Sequence, residues 1–277
     1  MKIHETIAAL REGVKKSGRI VLVPTMGNLH DGHISLMRQA QEYGDTVLVS
    51  IFVNRLQFRP GEDFEKYPRT FAADCERLVA AGVDHLFFPA ENEMYPTPQQ
   101  YFVEPPPELI DILEGKFRPG HFRGVATVVM KLFNIVQPQV AVFGKKDYQQ
   151  MLVLGNMARD LALPVEIVAA DTVRAADGLA LSSRNGFLSA RERAEAPRLH
   201  QLLAGIRQAI LTGESDYARL ERGAMAILDS HGWEPDYIAV RRQADLQMPV
   251  PPVAETGLVV LGAARLGTTR LIDNLEI

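Results

Sequence analysis

One run constrains this chain before anything else: Val47-Leu48-Val49-Ser50-Ile51-Phe52-Val53, in which Ser50 is the sole polar side chain. A strand that is apolar on both faces has to be covered on both, as a parallel strand sandwiched between helices is. The neighbouring pattern supplies the helices. Arg19 to Val23 reads as a strand, the spacing of Ile34, Met37 and Ala40 predicts a helix from Ile34 to about Tyr43, and Thr46 to Val53 completes a strand–helix–strand unit. The alternation continues along the chain. A first helix is expected near His4 to Lys16, and another at Phe71, Cys75, Leu78 and Val79, capped by Gly82 before a strand from Asp84 to Phe88. Val125, Val128, Val129, Leu132, Phe133 and Val136 predict a core helix, Gln139 to Phe143 and Val165 to Ala169 predict strands, and Tyr148 to Arg159 a helix between them. This order specifies a doubly wound parallel α/β sheet with right-handed crossovers, ending near Thr172. Met94 to Pro107, with Pro96, Pro98, Pro105, Pro106 and Pro107, is expected to be an irregular excursion, a loop or a lid.

Beyond Thr172 the pattern changes. Val173 to Gly186 is rich in small and polar residues and reads as a hinge and functional loop. Helical stripes at Leu199-Leu202-Leu203-Ile206-Ile210 and Leu220-Ala224-Ile227-Leu228 precede strand-like Tyr237 to Val240 and Leu258 to Leu261, which describes a smaller α+β domain over residues 173–277. A length of 277 residues suits two domains. Composition narrows the function. The formal charge of −4 argues against duplex nucleic acid as a partner. Cys75 is the single cysteine, so an intramolecular disulfide is excluded and a reducing, cytoplasmic compartment fits. No apolar run approaches the roughly 18 residues of a membrane span, and no targeting signal is legible.

Chemistry-bearing residues gather where the strands end, which is where ligands bind in open parallel sheets. After the first strand comes Pro24-Thr25-Met26-Gly27-Asn28-Leu29-His30-Asp31-Gly32-His33, a glycine-containing loop entering a helix. Backbone N–H groups at such a terminus can receive an anion, and ring N–H groups of His30 and His33 can aim at the same place. The bland alternatives are two surface histidines or a zinc pair, and zinc wants a third protein ligand that nothing obvious supplies. Asn54 and Gln57 follow the next strand. Gly144-Lys145-Lys146-Asp147 follows another, with Lys146 suited to phosphate and Asp147 to magnesium or a hydroxyl; a solvated charged turn is the alternative. Ser182-Ser183-Arg184 can bind pyrophosphate with two hydroxyls and a guanidinium fork, or simply cap a helix. Gln57 and Gln150 are neutral amides that can hold a small hydroxy acid without repelling it. Arg118, His121 and Arg123 form a basic cluster that faces an anion or caps a helix.

Five ordered motifs carry a family resemblance: Pro24-Thr25-Met26-Gly27-x-Leu29-His30-x-Gly32-His33, Ser50-Ile51-Phe52-Val53-Asn54-x-x-Gln57-Phe58, Arg118-Pro119-Gly120-His121-Phe122-x-Gly124-Val125, Lys146-Asp147-Tyr148-Gln149-Gln150 and Ser182-Ser183-Arg184-Asn185. Together, from about Ile3 to Asn274, they resemble the pantothenate synthetase (pantoate–β-alanine ligase) family. The resemblance implies a Rossmann-like nucleotidyltransferase domain with a smaller lid domain, a homodimer, and a two-step ligation with ATP and Mg2+. Pantoate attacks the α-phosphate of ATP to give pantoyl adenylate and pyrophosphate; the β-alanine amine then displaces AMP. Carried over by position, the catalytic set is His33, in the place of the family's proton donor, with His30, Lys146, Ser182, Ser183 and Arg184. The ATP-contacting set is Met26, Gly27, Asn28, Leu29, His30, Asp31, Gly32, His33, Gly144, Lys145, Lys146, Asp147, Val173, Leu181, Ser182, Ser183 and Arg184. Gln57, Gln150, Met26 and Asn54 match the pantoate and β-alanine contacts. Departing pyrophosphate needs charge stabilisation more than a proton, so an electrostatic role for the histidines is the physically safer one.

Three positions depart from the family pattern. Arg55 stands where a proline is usual, Lys145 where an acidic residue is usual and Leu181 where methionine is frequent. The first two add positive charge near the expected nucleotide. Two rival functions fit the same residues less well. A nucleotidyltransferase acting on a phosphorylated acceptor needs more cations than Gln57 and Gln150 provide, and a non-catalytic nucleotide sensor has no need to keep His30, His33, Lys146 and Arg184 together.

Overall fold

A short edge strand, β1 (Lys2–His4), opens the computed structural model, which describes residues 1–59, 61, 64, 65, 67–249 and 257–277. The chain divides into two compact units: Met1–Gly144 with Val153–Asp171, and Lys145–Leu152 with Thr172–Ile277. Lys145–Leu152, which the sequence pattern assigns to the first domain, thus groups with the second unit.

In the first unit, α1 (Ile7–Val14) starts only after Thr6, whose hydroxyl accepts the Ala9 N–H at 3.2 Å. The sequence places this start at His4, because three residues of strand are too few to interrupt a helical apolar period. Strand β2 (Ile20–Thr25), α2 (Asp31–Ala40) and β3 (Thr46–Ile51) form the expected unit. A 3-10 turn at Arg55–Gln57 precedes α3 (Phe71–Ala80), β4 (His85–Phe87) and α4 (Glu91–Met94). Gly82 caps helix α3: its N–H reaches the Val79 carbonyl, and its φ of 74° lets the Val83 N–H reach that of Leu78. Residues 95–106 contain no helix or strand, as the prolines predict. Helices α5 (Pro107–Ile110), α6 (Leu113–Phe117) and the largely buried α7 (His121–Val136) lead to β5 (Val140–Gly144). Helix α8 (Tyr148–Asp160) and β6 (Glu166–Ala170) complete the alternation.

The sheet is wholly parallel, in the order β1-β4-β3-β2-β5-β6. Every residue of β3 is buried, which is what its apolar sequence demands. Val21, Val23, Val47, Val49 and Ile51 pack in one core cluster with Ile34 and Met37 of α2 and Leu78 of α3. The chain steps outward from β2 to β3 to β4 and returns to the far side of β2 with β5. The carboxyl ends of β2 and β5 therefore flank the topological switch point. Pro24 lies inside β2 without cost to the ladder. Thr25 faces β3, accepting the Phe52 N–H at 3.1 Å, so Pro24 faces the β5 side, where pairing has already ended at Leu22–Ala141.

The second unit holds α9 (Ala190–Glu195), α10 (Arg198–Leu211), α11 (Tyr217–Ser230) and an antiparallel sheet of β7 (Trp233–Arg242), β8 (Leu258–Leu266) and β9 (Thr269–Glu276), in that order. Leu199, Leu203, Ile206, Leu228, Trp233 and Val260 form its core. Apolar spacing locates α10, α11 and the hearts of β7 and β8, but neither α9 nor β9. Ser189 and Glu192 nevertheless spell out a reciprocal cap at the start of α9, each receiving the other's backbone N–H.

A buried histidine pair fastens β1 to the sheet. His4 Nε2 and His85 Nδ1 lie 2.8 Å apart, with the rings stacked at 5.1 Å, so one of the two nitrogens is unprotonated. Burial, then the Lys2 charge, lowers the His4 pKa; burial, then His4, Lys2 and the N-terminus against the opposing pull of Asp84, lowers that of His85. Folded values below the ordinary 6.5 mean that the pair's contribution is complete above that pH and is lost as pH falls toward the folded values. Hydrogen exchange should register this. Between about pH 7 and pH 5, once intrinsic rates are divided out, the Lys2 and Phe88 amides that tie β1 to β4 should lose protection relative to the β2–β3 ladder. Equal protection at both pH values would contradict it.

Candidate functional site

The loop after β2 turns left-handed at Gly27, φ 81°, and again at Asn28, φ 51°. A non-glycine residue there costs about 1 kcal/mol or more and persists only where its surroundings hold it. Asp74, at the start of α3, does the holding. Its Oδ2 accepts the Asn28 N–H at 2.9 Å and its Oδ1 the Leu29 N–H at 2.8 Å, while the Thr70 hydroxyl donates to Oδ2 at 3.1 Å. The residue is 2% exposed. Hydrogen bonds to an ionised group contribute about 1.5–3 kcal/mol each, and three of them make the burial tolerable. The same α3 face carries Arg77, 3.0 Å from Asp31.

His30 is the N-cap of α2, which explains why the helix starts three residues before its first buried apolar side chain. His30 Nδ1 accepts the Gly32 N–H at 3.2 Å, and His33 Nδ1 accepts the His30 N–H at 3.3 Å. The rings lie 4.0 Å apart. A nitrogen that accepts carries no proton, so each ring is neutral and bears its hydrogen on Nε2. The backbone donors of Asn28, Leu29 and Gly32, which the sequence pattern aims at an anion, are thus engaged inside the protein.

The 3-10 turn after β3 places Gln57 beside this loop. Its Nε2 donates to Met26 Sδ at 3.0 Å, and its Oε1 accepts from Asn54 Nδ2 at 3.2 Å. Asn54, 1% exposed, also donates to the Gly124 carbonyl at 3.2 Å and accepts from Tyr95 Oη at 2.8 Å, so its amide is committed to holding this corner. His121 Nδ1 donates to the Gln57 carbonyl at 2.9 Å while its Nε2 accepts from Arg118 at 3.2 Å, the opposite tautomer from the loop pair. Arg118 also reaches the Gln57 carbonyl, at 3.4 Å. Arg123 instead pairs with Glu104 at 2.9 Å and lies 3.8 Å over Phe102. The basic cluster therefore acts largely on the backbone of its own unit. Helix α7 approaches so closely that a Cβ on Gly124 would stand 2.2 Å from the Leu56 carbonyl oxygen.

In the second unit, Asn274 of β9 donates to the Lys145 and Lys146 carbonyls at 2.8 and 2.9 Å, shaping the 3-10 turn Lys145–Asp147. Lys145 Nζ is 2.8 Å from Glu276, which also accepts from Tyr148 Oη at 3.2 Å. Lys146 lies 3.9 Å from Asp147. Gln149 is 2% exposed and Gln150 partly exposed at the start of α8. Val173 and Leu181, eight positions apart among the expected site residues, meet across a small hairpin in which Leu181 N–H donates to the Val173 carbonyl at 3.0 Å. Arg174 braces the hairpin through both oxygens of buried Asp273, at 2.6 and 2.9 Å. Burial pushes that carboxyl up, but the neighbouring His200, 3.4 Å away, and the Arg174 guanidinium outweigh it and hold it below the usual range. Ser182 then caps the Ser183–Phe187 turn by accepting the Arg184 N–H at 3.3 Å. The two departures that add positive charge are each matched by carboxylates: Lys145 by Glu276, and Arg55 by Glu91 at 3.0 Å and Glu65 at 3.5 Å.

Sequence reasoning misses Asp74, Thr70, Asn274, Glu276 and Asp273. Asp74 reads as an ordinary acidic residue complementing a helix dipole, and the others lie on or near elements with no catalytic signature. Among the described residues, no group of three His, Cys, Asp or Glu side chains is arranged to hold a metal ion.

Comparison with known proteins converges on one family. A family described as Pantoate-beta-alanine ligase matches residues 2–276. The chain is 45% identical to a pantothenate synthetase from Thermus thermophilus, covering 100% of this chain and 99% of that one with a TM-score of 0.94. It is 35% identical to a pantoate-beta-alanine ligase from Francisella tularensis, a structure described as complexed with beta-gamma ATP and β-alanine, over 100% of this chain and 97% of that one with a TM-score of 0.78.

The close approach at Gly124 gives a direct test. Gly124→Ala must displace the Leu56–Gln57 backbone, an overpacking cost of about 1–3 kcal/mol. The melting temperature should fall by about 2–4 °C for each kcal/mol. An unchanged melting temperature would show that α7 is free to withdraw.

Proposed function

We infer the reaction from membership: the chain belongs to the pantoate–β-alanine ligase family, and it joins pantoate to β-alanine with consumption of ATP. The pantoate carboxylate attacks the α-phosphate, forming an oxygen–phosphorus bond as the bond to pyrophosphate breaks. The β-alanine amine then attacks the acyl carbon of the adenylate, forming the amide, losing a proton and releasing AMP. The observation that carries the assignment of roles is the mutual capping of His30 and His33, which turns both Nδ1 atoms to the backbone and leaves each ring its hydrogen on Nε2. Neutral imidazole N–H groups held this way act on the α-phosphate as negative charge develops there, rather than as acids that must first be charged.

The other roles follow from side-chain chemistry. Lys146 meets phosphate oxygens as a point charge, and Ser182, Ser183 and Arg184 hold the departing pyrophosphate with two hydroxyls and a planar fork. Gly144, Lys145, Asp147, Val173 and Leu181 line the nucleotide. Gln57 and Gln150 bind pantoate without opposing its carboxylate, Gln57 also serving β-alanine; Met26 and Asn54 set the Gln57 amide, as their 3.0 and 3.2 Å contacts support. Magnesium completes the reading. It takes one or two protein carboxylates with phosphate oxygens, and Asp147, half-exposed and 3.9 Å from its lysine, fits that donor set. Bound there, the ion would neutralise phosphate charge. A homodimer in the cytoplasm completes the proposal; among the described residues no helix is long and apolar enough to cross a membrane.

Pyrophosphate release tests the reaction. With ATP and pantoate it should appear without β-alanine, and AMP should track amide formation once β-alanine is added; pyrophosphate independent of pantoate would overturn the assignment. His33→Ala should lower the turnover number for adenylation by about a hundredfold or more while ATP binding changes little. An unchanged turnover number would refute its role. For Gln57→Ala the loss should fall on pantoate and β-alanine use, and a loss confined to ATP affinity would count against it.

A further inference from the structure

We propose that Asp74 is a positioning residue for adenylation, acting through the histidine loop, a role that rests on the ligase reading above. Asp74 reaches back along the chain to the loop that carries both histidines. Its two carboxylate oxygens take the N–H groups of Asn28 and Leu29, the two residues immediately before His30. Those bonds fix the left-handed turn at Asn28 and therefore the direction in which the chain enters α2. His30 and His33 depend on that direction, because each ring is oriented by a backbone N–H of this same short stretch.

A carboxylate is an unexpected neighbour for a loop that meets a triphosphate. Its charge opposes the substrate's, and it removes two N–H donors from the set that the nucleotide could have used. Both effects penalise ATP binding. What the group contributes is geometry: its three donors, with the Thr70 hydroxyl as the third, hold the carboxylate in one orientation. The room beside it is fixed as well: a Cβ on Gly27 would lie 3.1 Å from Asp74 Oδ2 and 3.0 Å from Ile51, so the carboxylate, the glycine and the end of β3 are in mutual contact. Loss of one oxygen acceptor leaves a backbone N–H of the turn unpaired, lets Asn28 relax toward ordinary dihedral angles, and swings both ring donors away from the α-phosphate.

A double-mutant cycle on the full chain tests this. In Asp74→Asn the side chain keeps its size and one acceptor, and the turnover number for pantoate-dependent pyrophosphate release should fall by about tenfold to a hundredfold, with KM for pantoate nearly unchanged. In a His33→Ala background the same change should cost clearly less than it does from wild type, because one of the two rings that Asp74 positions is already gone. Equal fractional losses in both backgrounds, or a wild-type rate in Asp74→Asn, would overturn the proposal. If Asp74→Asn does not fold, Thr70→Val, which removes one donor only, runs the same cycle, with a loss of about threefold expected from wild type and a smaller one from His33→Ala. A wild-type protein without pantoate-dependent release would instead overturn the ligase reading, so the two failures are distinct.

Discussion

The requirement that a parallel strand be covered on both faces governs the first unit. Because β3 is buried throughout, its helices must lie on both sides of the sheet, and every loop that follows a strand emerges at the same edge. The reversal of direction between β2 and β5 then makes one place on that edge different from the rest. Pairing between those strands stops at Leu22–Ala141, and Pro24 occupies the vacated side of β2. The loop that follows carries the histidines, the methionine that contacts Gln57, and the left-handed turn at Asn28.

Within that frame the site is held by hydrogen bonds that assign proton positions. His30 and His33 are tied by Nδ1, which puts their hydrogens on Nε2; His121 is tied to a carbonyl by Nδ1–H and to Arg118 by Nε2, which makes it the reverse. The first arrangement puts the ring hydrogens on Nε2. The second uses up both nitrogens to fix the carbonyl of Gln57. Two histidine motifs of similar appearance in the sequence therefore serve different ends, and only their backbone partners distinguish them.

Much of the architecture is legible because burial leaves a periodic trace: continuous for β3, helical for α7, α10 and α11. Elements too short to show a period are not, as with β1 and α9, and β9 escapes notice although it supplies Asn274 and Glu276 to the Lys145–Asp147 turn. The candidate site divides along similar lines. Histidine, lysine, glutamine and the serine–arginine loop announce themselves by chemistry at strand ends or in the hinge. Asp74 does not, since its partners are backbone N–H groups 46 and 45 residues earlier and a backbone contact has no sequence signature. The excess positive charge read at Arg55 and Lys145 is likewise local to the sequence, and Glu91, Glu65 and Glu276 balance it in space.

Nitrogen NMR of selectively labelled imidazole rings reads out whether His30 and His33 are neutral donors through Nε2. Both rings should carry a hydrogen on Nε2 and none on Nδ1 at neutral pH, with ATP and pantoate present as well as absent. A hydrogen on Nδ1 of either ring, or a doubly protonated ring in the substrate complex, would contradict it.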